Sequence, residues 1–172
     1  MATIVTGSGV STPQLNVSGT ATFGSTPNVT TPQSMVQLNT ANGYGSTNVM
    51  IRRFSNMQVN QGTDISYIDS TVNGASFSIN TAGVYSISYT DQFSGTNANM
   101  GLSLNSSQLT TPIYLLNAAN MLAANTVYST NTPMSCGWTG WLPVGAVIRA
   151  HNNGAVSGTF TQCCQFTIAR VA

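Results

Sequence analysis

The residues of this chain that could carry acid–base, nucleophilic or metal chemistry are few. There is one histidine, His151 in "RAHNNG", and the only carboxylates are Asp64, Asp69 and Asp91. Nucleophilic catalysis needs a nucleophile, a base and an orienting group within reach of one another. No acid lies near His151 in sequence, and its place at the edge of a turn predicts an exposed turn residue. Glycoside hydrolysis needs paired carboxylates. Asp64 and Asp69, in "DISYID", differ in parity and so face opposite ways on a strand, while Asp91 follows the run "GVYSISYT" as a cap or turn residue. Calcium wants about 6–8 oxygens with several carboxylates, which leaves only an ion on a symmetry axis, sharing one Asp from each subunit. Cys163 and Cys164 are adjacent and point to opposite faces, so Cys136 can meet at most one of them. Paired Cys or His at zinc spacing are absent, and three buried thiols are expected. The chemistry therefore predicts no catalytic residue, no metal site and no cofactor, and makes a polysaccharide depolymerase the least favoured class.

Residues suited to recognition are easier to find. Trp138 and Trp141 in "CGWTGW" fall on opposite faces of an extended segment. One is expected in the core and the other at a subunit interface or stacked on a ligand such as a sugar. Arg52 and Arg53 are also adjacent, so one faces the core side or an interface. The ordinary outcome is an Arg–Asp contact with Asp64, Asp69 or Asp91, and the alternative is an anion site. Tyr85 and Tyr89 join these four as candidate binding or interface residues. The loops "NSSQLTT", "SGTNAN" and "HNNG" have the composition of adaptable binding loops and equally that of plain turns.

The elements that must position these residues read as strands. In "SINTAGVYSISYT" a glycine breaks the chain, after which Tyr85, Ile87 and Tyr89 share one face and Ser86, Ser88 and Thr90 the other. "NVMIRRF" and "DISYID" are further runs. "MGLSLNSSQ" sends Met100, Leu102 and Leu104 inward, and "CCQFTIARVA" aligns Cys164, Phe166, Ile168 and Arg170. "YLLNAANMLAAN" has enough Ala, Leu and Met for a helical turn or two and stays ambiguous. Many short strands, frequent turns and scarce helical periodicity argue for a sandwich or jelly roll. Residues 1–36 are Thr-, Ser-, Gly- and Pro-rich and cannot build a core. Within them "LNVSGTATF" places Leu15, Val17 and Phe23 on one face of a strand that needs a partner. An attachment arm, 1–36, and a head, 37–172, are the expected domains.

The composition bounds the setting. Charged residues are 4% of the 172, against an ordinary share of about 25%, and the net charge is +1. So weak a field holds neither nucleic acid nor an anionic membrane. A chain this neutral favours association. The opening "MATIVTGSGV" lacks the basic region and apolar run of a secretory signal, and no segment is apolar enough to span a bilayer as a helix. Synthesis in a cytoplasm without export or membrane insertion is the expectation.

Three segments, in this order, resemble the C1q/TNF-like jelly roll: "FSINTAGVYSISYT", "WLPVGAVIRAH" and "QFTIARV". The chain departs from that family in having Ala146 where an acidic residue often follows the glycine, and no Gly-X-Y repeat occurs among its 172 residues. The phrase "LNVSGTATFGSTPNVTTP" resembles segments of bacteriophage fibre and virion-surface proteins. Together the resemblances imply an all-β, trimeric jelly-roll head with an extended N-terminal β arm. They imply a non-enzymatic virion-surface protein whose partners are its own copies and capsid or tail proteins. A capsid decoration or head-fibre protein is the leading expectation. A receptor-binding tip of a short tail fibre, recognising a host surface glycan, is the alternative.

Overall fold

Alternation of apolar and polar residues produces strands throughout the computed structural model, which describes residues 34–46, 48–94, 98–127, 132–153 and 163–172. The expected arm residues Leu15, Val17 and Phe23 lie outside the described residues. The strands are β1 (Met35–Tyr44), β2 (Arg52–Gln61), β3 (Ile65–Ser70), β4 (Gly74–Ile79), β5 (Gly83–Gln92), β6 (Ala98–Leu104), β7 (Met121–Val127), β8 (Pro133–Leu142), β9 (Val147–Asn153) and β10 (Gln165–Arg170). They form two five-stranded antiparallel sheets, ordered β2-β1-β10-β5-β8 and β3-β4-β9-β6-β7. The first described strand lies beside the last, Val36 opposite Ile168. Because β1 begins at Met35 and Val36 is buried, the head takes in residues that composition alone assigned to the arm.

The core lies between the inner faces. Tyr85, Ile87 and Tyr89 of β5, Phe166 and Ile168 of β10, Phe77 and Ile79 of β4, and Met100 and Leu102 of β6 are all buried, as their spacing predicts. Phe77 of one sheet stacks on Phe166 of the other with centroids 4.0 Å apart and planes 10° from parallel. Phe54 and Tyr89 pack around that pair, edge to face with each other at 6.1 Å. Offset aromatic contacts of this kind add to the burial of large apolar area and fix how the sheets face one another.

The ambiguous segment resolves into two single 3-10 turns, Ile113–Leu115 and Ala118–Asn120, before the chain enters β7. Ala and Leu favour helix only weakly, and a helix this short does not repay its nucleation. The sheet edge next to β6 takes the remainder as a strand.

Candidate functional site

Every carboxylate of the chain is engaged by an arginine. Asp91 is neither a cap nor a turn residue. It is the ninth residue of β5, fully buried, where its inward parity sets it against the end of the core. Each of its oxygens accepts three hydrogen bonds. Oδ1 takes Arg52 Nη2 at 3.1 Å, the Gln92 amide at 2.9 Å and Cys164 Sγ at 3.1 Å. Oδ2 takes Arg52 Nε at 2.7 Å, Tyr89 Oη at 2.6 Å and Asn152 Nδ2 at 3.0 Å. The remaining Arg52 nitrogen, Nη1, donates to the Gly43 carbonyl at 3.2 Å, and the guanidinium lies 5.5 Å from the Tyr44 ring centroid. A carboxylate saturated in this way costs little to bury and has no lone pair left for a substrate.

This cluster joins β2, β5 and the entry to β10 in one sheet to β9 in the other. Burial pulls the Arg52 guanidinium toward neutrality, and the bond and charge of Asp91 more than reverse this, so it stays charged. Burial, reinforced by Asp91, raises the Tyr89 hydroxyl well above its ordinary value and pushes the Cys164 thiol up to about 12. Both groups are locked as neutral donors. They are structural members of the network and poor nucleophiles.

The other two pairs lie nearer solvent. Arg53 holds Asp69 with two bonds of 2.8 and 2.9 Å, from β2 to β3. Arg170 of β10 reaches Asp64 at 3.3 Å, and Ser34 donates to the same oxygen at 2.9 Å. Arg52 and Arg53 are thus Arg–Asp contacts, each reaching a different acid. Arg52, Tyr85 and Tyr89 are corrected as candidate binding or interface residues. All three are sealed in the core, Tyr85 donating to the Thr81 carbonyl at 2.6 Å. Inward parity on β5, with each hydroxyl hydrogen-bonded, makes Tyr85 and Tyr89 packing residues, and on β2 Arg52 is held inward by Asp91.

His151 is a second correction: it is fully buried rather than an exposed turn residue, because the chain between β6 and β7 covers it. None of the three cysteines forms a disulfide. Cys164 is buried, whereas Cys136 and Cys163 are half-buried, and burial raises the Cys136 thiol to about 12. Among the described residues no three His, Cys, Asp or Glu side chains come together to hold a metal. Two open depressions among them, about 360 Å³ beside Tyr44, Met50 and Asn152 and about 470 Å³ beside Met57, Tyr67 and Asn80, are lined without any charged group.

The tryptophans divide as their spacing predicts. Trp138 faces inward from β8, half-buried against the core, its ring lying over Gly140. Trp141 faces outward and is 61% exposed. β8 is an edge strand, and the face that it shares with β5, β10 and β1 carries no charge. Gln37, Thr167, Ser88 and Gly137 form one row across it, Met35, Ala169, Ser86 and Thr139 the next, and Val84 stands opposite Trp141. Val144 and Val171 add exposed apolar surface near the same end. Of the candidate loops, "NSSQLTT" is engaged in packing: Asn105 Oδ1 accepts from the Val147 amide at 2.7 Å and Ser106 Oγ from the Gln108 amide at 3.1 Å. The "SGTNAN" and "HNNG" loops lie partly outside the described residues.

No family profile matches the sequence, and no curated protein matches it. Solved structures do match in fold. Murine APRIL at pH 5.0 aligns with a TM-score of 0.59 at 12% identity, covering 81% of this chain and 99% of that one. GITRL from bushbaby aligns with a TM-score of 0.50 at 13% identity, covering 81% and 95%. Both are TNF-family cytokines with the C1q/TNF-like jelly roll. This chain has that fold.

Proposed function

We propose that this chain is a non-enzymatic structural protein of a bacteriophage virion surface, a homotrimer that attaches through the segment before β1 and presents the jelly-roll head outward. The observation that carries the reading is the charge-free outer face of β1, β10, β5 and β8, with Trp141 exposed on its edge strand. A face of small uncharged side chains with one large aromatic loses little hydration on contact and gains most from excluding water, as at the centre of an interface. The lack of charge in the chain then becomes intelligible, since its three acids are neutralised within the protomer. The trimer is what the resemblance to C1q/TNF-like proteins implies, and a closed symmetry keeps such a face from joining copies indefinitely. The virion setting rests on the resemblance of the arm to fibre and virion-surface segments.

Light scattering on the purified protein tests the assembly. The expected mass is three times the 17.9 kDa chain, and Trp141→Asp is expected to give folded monomers. A monomeric wild-type protein removes the trimer. Quantitative mass spectrometry of purified particles tests the setting. A copy number near one or one-third of the major capsid protein supports a decoration or head fibre, whereas absence from particles removes the virion reading.

A further inference from the structure

The chain between β6 and β7, residues 105–120, lies as a strap across the outer face of the β3-β4-β9-β6-β7 sheet. The Asn105 amide donates to the Val147 carbonyl, the Met50 amide to the Leu109 carbonyl, both at 2.8 Å, and Arg149 Nη1 to the Ser106 carbonyl at 3.3 Å. Ile113 of the strap is fully buried on its underside and packs close over Gly101 of β6. At the centre is His151 of β9, with Nε2 2.6 Å from the Thr111 carbonyl. A carbonyl only accepts, so Nε2 carries the proton. Nδ1 is left as a lone pair, buried and without a hydrogen-bond partner.

The groups around this imidazole make a second proton unwelcome. β9 contributes Arg149 on the same face, and its Nε is likewise buried without a partner. β6 contributes Gly101 and Ser103, the strap contributes Thr111 and Ile113, and Ile51 bridges from the side. Arg52, next to Ile51, is bound to Asp91 in the core. No carboxylate is available anywhere near, because the chain has three and all are held by Arg52, Arg53 and Arg170. Burial holds the imidazole below its ordinary pKa, with the Thr111 bond opposing and the Arg149 charge assisting.

We propose that His151 is an acid-sensitive latch, so that protonating it releases the 105–120 strap while the sandwich beneath stays folded. A group whose pKa is lower in the closed state stabilises that state fully above its free value, about 6.5. The stabilisation is lost as pH falls from there through the closed-state pKa, by up to about tenfold in the open-to-closed ratio per pH unit. Release uncovers Ile113 and Leu116, both now buried.

His151 is the sole histidine, so the imidazole resonances of the full-length protein report on it alone. Titration by NMR is expected to give a midpoint clearly below about 6.5. A midpoint at or above that value overturns the proposal even if no variant folds. Hydrogen exchange, corrected for intrinsic rates, is expected to show strap amides losing protection about tenfold or more between pH 7.5 and 5, with β5 and β10 unchanged. His151→Gln keeps a donor for Thr111 without a titrating group and is expected to abolish that pH dependence. The same loss in the variant, or a loss shared by the core strands, refutes the latch.

Discussion

Two adjacent arginines have opposite fates, and the difference is measurable. Arg52 and Asp91 are 1% and 0% exposed, so Asp91→Asn keeps the shape of the acid while leaving a buried guanidinium without its counter-charge. Removing one member of a buried pair costs about 3–5 kcal/mol. Arg53→Ala, which breaks a pair in partial contact with water, is expected to cost at most about 1 kcal/mol. Urea denaturation at one fixed protein concentration compares the two. Similar losses at both sites would show that the Asp91 network does not carry the weight its six donors imply. The sequence announces that Arg52 and Arg53 face opposite ways, since parity is local. Which acid each one reaches is not local: Asp91 comes to Arg52 from 39 positions away and Asp69 to Arg53 from 16.

Strands were legible wherever one face is core. The inward sets Tyr85, Ile87, Tyr89 and Phe166, Ile168 follow directly from period-two alternation, because burial of one face is what maintains the alternation. The segment after β6 was not legible in the same way, since its Ala, Leu and Asn satisfy weak helical preference and plain coil equally. What organises it is the sheet below, above all Gly101. A Cβ there would come 2.3 Å from the Ala123 carbonyl and 2.7 Å from Ile113. Gly101→Ala is therefore expected to destabilise the head by about 1–3 kcal/mol through overpacking. Gly137→Ala on β8, where the nearest contact within the protomer is the Ile87 carbonyl at 3.2 Å, is expected to cost less when both variants are compared in the Trp141→Asp monomer. Thermal melts of the two variants make the comparison, and a larger loss at Gly137 would contradict this account of the strap.

At the scale of the molecule, acid should act in two separated windows. The Asp64 carboxyl is held below its usual value, first by a hydrogen bond from Thr81 and then by Ser34 and Arg170 against an opposing burial effect. A depressed carboxylate stabilises the fold fully above the unfolded value of about 3.9, and that contribution disappears as pH falls through the lower folded value. Loss of the whole sandwich, followed by near-ultraviolet circular dichroism, is expected only below about pH 4. The His151 strap should open in the window beneath about pH 6.5. Coincident transitions would mean that strap and sandwich unfold as one unit.

The sequence by itself determined that the chain is all-β, which side chains of most strands point inward, and that it has only three acidic side chains. These are properties of composition and of nearest neighbours along a strand. It could not place His151 beneath a strap, gather Arg52, Tyr89, Asn152 and Cys164 around Asp91, or line up Gln37, Thr167, Ser88 and Gly137 in one uncharged row. Each of those depends on which strands lie side by side. That pairing is set by the closure of two sheets over a shared aromatic core, where residues as distant as Val36 and Ile168 become neighbours.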